Sequence, residues 1–234
     1  MARTDQILGG LYYLSLMFPV IAGFVNLKRQ RSDTWLLLVL VIAAFCTETI
    51  ALTLISLSIG NHSVYQIFSL AEYLLYSALF YIWIRDRVIK QSVFPAAVFF
   101  IIFWLYAKIT ISDPQRFISD VLIAESMIII LFGLYVLLFV VSRDKSNLHF
   151  DHRFWMLLGI LFNFGGNIFM YAGMKFIMEQ ALPLWRFHWL NNTIVNFLYA
   201  VSFLSLAWGS RDKTQKRKDV IWDTANHKKG IPHE

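Results

Sequence analysis

Seven apolar runs of about twenty residues, separated by short polar or basic turns, constrain this chain more than any other feature it carries. Runs of that length match the roughly 30 Å of hydrocarbon in a bilayer, and they must be helical there, because no water is at hand to satisfy backbone N–H and C=O groups. They fall at 7–27, 35–58, 63–84, 93–112, 118–142, 153–175 and 186–209. Composition agrees: 58% of the 234 residues are hydrophobic and 15% charged, whereas a soluble domain of this length carries more charge. The expected fold class is therefore an all-α, seven-transmembrane helix bundle over residues 1–210, followed by a basic, flexible cytoplasmic tail over 211–234. Short connections make sequential helices antiparallel neighbours.

Lysine and arginine set the expected orientation. With the N-terminus outside, the inner turns and tail hold 16 of them, from Lys28, Arg29 and Arg31 through Arg85, Arg87, Lys90, Arg143, Lys145 and Arg153 to the run from Arg211 to Lys229. Only 5 lie outside: Arg3, Lys108, Arg116, Lys175 and Arg186. This charge distribution explains the net +6 without a nucleic-acid partner and predicts an N-out, C-in membrane protein. Trp35, Trp83, Trp155 and Trp208 fall at inner ends and Trp185 and Trp189 near an outer end, which reads as a set of interfacial anchors. In the tail, Val220, Ile221 and Trp222 offer a small foothold on anionic headgroups.

Pro19 should kink the first span, and Pro183 should mark the approach to the seventh. The run after MARTDQ lacks a small-residue cleavage site, so no cleavable signal peptide is expected. Cys46, the single cysteine, lies within an apolar run and reads as a small buried hydrophobe. Offsetting the third span by 126 residues onto the seventh pairs His62 with His188 and Tyr73 with Tyr199, the pattern of a 3+1+3 pseudo-repeat with the fourth helix as linker.

Polar residues within the apolar runs carry what functional signal there is. On the third span His62, Tyr65, Ser69, Glu72 and Tyr76 recur every three or four residues, which gathers them on one helix face. The seventh repeats the pattern with His188, Asn192, Asn196 and Tyr199. The second contributes Glu48, the fifth Asp120 and Glu125, and the sixth Asn163 and Asn167 in NFGGN, where Gly165 and Gly166 should let helices approach closely. At about 1.5 Å per residue these groups lie at similar depth, roughly 10 to 14 Å from the outer surface.

An ionisable residue at that depth must face protein or trapped water, so Glu48 and Glu72 read as functional. The amides and hydroxyls serve equally as interhelical ties of about 0.6 kcal/mol each. The functional reading is a polar pocket open to the outside, with Glu48 and Glu72 sharing a proton at its floor and His62 and His188 at its mouth. No Glu-x-x-His or paired-histidine motif marks a metal site, and the sequence names no cofactor. His149 and His152, in NLHFDHRF, read as a solvated loop. Gly-rich phosphate loops and nucleophile elbows are missing, and the seventh span has no lysine for a retinal Schiff base.

With both polar faces in view, the chain resembles small seven-helix proteins of bacterial membranes. His62, Tyr65 and Glu72 carry that resemblance, together with His188, Asn192 and Tyr199 in HWLNNTIVNFLYAVSFL. It implies a stand-alone bundle and brings no activity with it. Sugar transporters of the 3+1+3 type are similar in size and topology, but their Pro-Gln pairs are missing here. The expected function is a receptor-like or sensory protein that binds a small-molecule ligand in the outer pocket and meets a protein partner at its basic inner face. A proton-coupled small-solute transporter ranks second, because the inner halves of the second, third and fifth spans are almost wholly apolar. An intramembrane enzyme acting on lipid ranks third, since no nucleophile is recognisable.

Overall fold

The computed structural model describes residues 3–143, 148–176 and 184–207. Trp208, Pro183 and the tail over 211–234 lie outside the described residues. Every regular element among them is helical: α1 (Arg3–Ser15), α2 (Met17–Val25), α3 (Ser32–Ser56), α4 (His62–Trp83), α5 (Arg87–Thr110), α6 (Pro114–Arg143) and α7 (His152–Phe176). An eighth, α8 (Leu184–Ala207), completes the set. Taken with α1 and α2 as one span, six of the seven spans are long and apolar enough to cross a membrane.

The span below that threshold is α4, and its packing explains why. Only a narrow stripe of it is exposed, formed by Ser63, Ile67, Ala71, Leu74, Ala78, Tyr81 and Ile82. Its remaining circumference meets protein on five sides. Trp83 bonds to Asp33 of α3, Tyr73 stacks on Phe100 of α5, and Phe80 packs on Phe132 of α6. Asn163 of α7 reaches Glu72, and Tyr199 of α8 reaches Tyr76. A helix surrounded by other helices can carry polar groups that a lipid-facing helix cannot.

Consecutive spans alternate in direction, and side-chain bonds fix which ends meet. The His62 end of the bundle also holds Asp5 bonded to Arg186 and Lys108 bonded to Gln66. At the opposite, Asp33 end lie His152, Trp83 and Ser202. Outside, the bundle is apolar: Ile7, Leu11, Leu14, Phe18 and Ile21 line α1 and α2, and Phe94, Val98, Ile102, Leu105 and Ile109 line α5. Apolar surface on this scale is foreign to soluble monomers and fits an integral membrane protein.

The first span breaks where Pro19 predicts. The ring of a proline clashes with the carbonyl four residues back and its nitrogen donates nothing there, which points to Ser15. The regular ladder lapses at Leu16, between the end of α1 at Ser15 and the start of α2 at Met17, although Leu16 keeps helical dihedrals and its amide bonds to the Tyr12 carbonyl at 3.3 Å. Asn196 of α8 donates to the Ser15 hydroxyl at 2.8 Å, and that hydroxyl donates to the Tyr12 carbonyl at 2.6 Å, so side chains occupy the broken turn.

Other expectations change. The fourth span starts at Arg87, ahead of the expected 93, because the Asp86 side chain accepts from the amides of Val88 and Ile89 at 2.9 and 3.0 Å and caps the helix through its charged first turns. Trp83 is no interfacial anchor; it is buried, with its indole N–H on Asp33. Gly165 touches nothing, while its neighbour Gly166 is the close-approach position, packed against the Asn191 side chain.

Cys46 is exposed on α3, not buried as its apolar run indicated. It sits near mid-helix, so an apolar maleimide dissolved in the bilayer should label it. A charged, water-confined thiol reagent should label it at least tenfold more slowly, as a ratio of modification rates. Equal rates would put that face of α3 in water.

Candidate functional site

Three glutamates come together inside the bundle. Glu48, on α3, accepts from the Tyr12 hydroxyl of α1 at 2.9 Å and from the Tyr65 hydroxyl of α4 at 3.2 Å, one bond on each oxygen. Glu72, about 15 Å along α4 from His62, is buried and accepts weakly from the Asn163 amide at 3.4 Å. Glu125, on α6, is 0% exposed, and neither of its carboxylate oxygens has a hydrogen-bond partner. Tyr171 of α7 lies within electrostatic reach of all three.

Tyrosines form the wall around them. The Tyr76 and Tyr199 hydroxyls share a hydrogen bond of 2.6 Å between α4 and α8, and Phe164 packs edge-on against Tyr76. Gly159 of α7 makes room for the Tyr199 ring: a Cβ there would come within 2.5 Å of it. Of the residues in the sequence pattern, Tyr65, Glu72 and Tyr76 thus lie together with Glu48, Glu125, Asn163 and Tyr199.

Its other members disperse. Asn196 is buried on the Ser15 hydroxyl of the broken first span, and Asn167 is buried on α7. Asn192 bonds to His188 one turn before it on the same helix, and the His188 ring faces Tyr12 and Trp185. His62 lies on the α5 side, in a groove of about 280 Å³ with Ser63, Gln66 and Lys108. A second groove, of about 630 Å³, runs beside it between α5 and α6, and Asp120 lines it with Tyr106, Thr110 and Asp113. Asp120 thus belongs to the surface and not to the carboxylate layer. Tyr12 and Tyr171 join this wall without having stood out in the sequence, although spacing could have found them: Ser15 follows Tyr12 by three residues, and Asn163 and Asn167 precede Tyr171 by eight and four.

The Asp33 end holds a second polar centre, where the sequence predicts apolar inner halves and a solvated His152. His152 is buried instead, with its Nε2 2.9 Å from Asp33 Oδ2. The same oxygen accepts from the Trp83 indole at 2.9 Å, Asp33 Oδ1 accepts from the Thr34 amide at 3.0 Å, and Ser202 of α8 donates to the His152 carbonyl at 2.9 Å. Four spans meet there. Beside it, burial works against the charge of Asp151, but hydrogen bonds from the Arg153 guanidinium and amide hold its carboxyl below the usual range.

Among the described residues no three His, Cys, Asp or Glu side chains are arranged to hold a metal ion. Chemically, the described interior offers acid groups, phenols, amides and the imidazoles of His152 and His188. No protein-family model, curated protein or solved structure matches the chain.

Proposed function

We propose that this protein is a receptor-like component of a bacterial inner membrane, N-terminus outside and C-terminus cytoplasmic, which binds a small polar or amphipathic ligand within its bundle. The observation that carries this reading is the layer in which Glu48, Glu72 and Glu125 meet tyrosines from α1, α4, α7 and α8. Structural ties alone need no carboxylates, and three of them within one layer are costly in a bilayer. His188, Asn192 and Tyr12 border the layer toward the His62 end and form the entry side. The basic turns at the opposite end are the surface for a protein partner.

Ligands from a panel of polar solutes and short-chain amphiphiles should raise the melting temperature of the purified protein. Saturation a hundredfold above the dissociation constant gives about 2.7 kcal/mol of stabilisation. Glu72→Gln and Asn192→Ala should each remove most of that effect. Stabilisation unchanged in both variants for every active compound would sink the pocket.

One observation favours a transporter as the second reading. Asp33, His152 and Trp83 put buried polar groups at the opposite end of the bundle, so the interior is not apolar below the glutamates. A 3+1+3 arrangement with α5 as linker belongs to this alternative. Solute uptake into reconstituted vesicles that depends on a pH gradient and fails in Glu72→Gln would place it first.

A further inference from the structure

We propose that Glu72 and Glu125 form a proton-binding site, in which two buried carboxyl groups on the adjoining helices α4 and α6 together carry one hydrogen. The sequence groups Glu48 with Glu72, but the structure separates them by the state of their oxygens. Both Glu48 oxygens accept tyrosine hydroxyls, which suits an ionised carboxylate. Glu125 has the opposite environment: full burial and two oxygens without a hydrogen-bond partner.

The groups that face the pair come from every neighbouring element. Tyr12 of α1 is within electrostatic reach of Glu72, as are Tyr76, Tyr171 of α7 and Tyr199 of α8. Tyr73, Tyr76 and Tyr171 are within reach of Glu125, and the two glutamates sense each other. Asn163 of α7 is the amide on Glu72. From α5, Phe100 stacks on Tyr73, while Lys108 is engaged with Gln66 toward the His62 end.

Those facing groups are phenols, acids and an amide. Two like charges enclosed together cannot both persist without a counter-cation, the described residues that face the pair supply none, and a cation must join them. A proton is the cation that needs no added volume, and on either carboxyl it removes one of the two charges. The exchange is balanced: the hydrogen enters from water with one positive charge, and the pair passes from two negative charges to one. Glu72 is the group through which it exchanges, since a little of its surface stays accessible while Glu125 has none.

The inference concerns the same layer as the proposed ligand site but does not need a ligand, and its test uses none. Infrared spectroscopy of the purified full-length protein in lipid at neutral pH should show the carbonyl stretch of a protonated carboxylic acid, displaced slowly on transfer to heavy water. Glu125→Gln and Glu72→Gln should each abolish or shift that band, and Glu48→Gln should leave it in place. If either variant fails to fold, raising the pH on the unsubstituted protein supplies the second measurement, with loss of the band and gain of carboxylate absorbance expected. Absence of the band at neutral pH, or its loss in Glu48→Gln alone, overturns the assignment. Ligand binding that survives such a result would leave the receptor reading standing, and a persistent band without any ligand would leave the proton site standing.

Discussion

Asp33→Ala is expected to destabilise the folded protein by about 3–5 kcal/mol, the cost of removing one partner from a buried polar cluster. Chemical denaturation in mild detergent, read by tryptophan fluorescence, measures it. The carboxylate accepts from Trp83 and meets His152 at 2.9 Å each, so its loss strands an indole N–H and an imidazole where little solvent reaches. Since α3, α4 and α7 converge on that one side chain, and α8 joins through His152, the damage should also appear as faster proteolysis at the start of α7. Asp33→Asn retains shape and one acceptor and should lose less. Equal, near-zero losses in both variants would mean the centre adds nothing to stability.

Gly159→Ala should cost about 1–3 kcal/mol, the range for an added methyl in a packed interior. Its Cβ would stand 2.5 and 2.7 Å from two carbons of the Tyr199 ring, whose hydroxyl is already fixed by Tyr76. The ring cannot retreat without breaking that bond. Gly165→Ala provides the contrast, six residues along the same helix with nothing within 4 Å of its added Cβ. There the added methyl should stabilise by about 0.5–1 kcal/mol, because alanine loses less backbone freedom in a helix than glycine. Paired melting curves decide the matter, and the two shifts should differ in sign.

The helical architecture is legible in the sequence because hydrocarbon imposes one rule on every span, and a run of twenty apolar residues records it locally. The same holds for the polar face of α4, where a repeat of three and four residues is a property of a single helix. Asp33 and His152 are different. They stand 119 positions apart in the chain, each at the edge of an apolar run, where an acidic residue and a histidine look like the solvated flanks found at most helix ends. Their pairing depends on which helix ends meet, and no local pattern carries that. Gly165 and Gly166 make the point within one dipeptide: the residue types announce close approach, but only the rotation of α7 decides which of the two meets Asn191. Likewise, the spacing shows Glu48, Glu72 and Glu125 at one depth. It cannot show that tyrosines complete the first and leave the last bare.

Two polar centres on a single rod have a mechanical consequence. Glu72 and Trp83 are eleven residues apart on α4, about 16 Å at the rise of an α-helix, and each is engaged by other helices. Apolar contacts between helices and fluid acyl chains resist sliding weakly, because one methyl group substitutes for another at little cost. Directional bonds do not permit such substitution. An axial slip of α4 by a single residue, about 1.5 Å, would misalign both centres together. They act as registration pins at two heights, so piston-like travel of α4 requires both to release at once, whereas tilting about either pin leaves that one engaged.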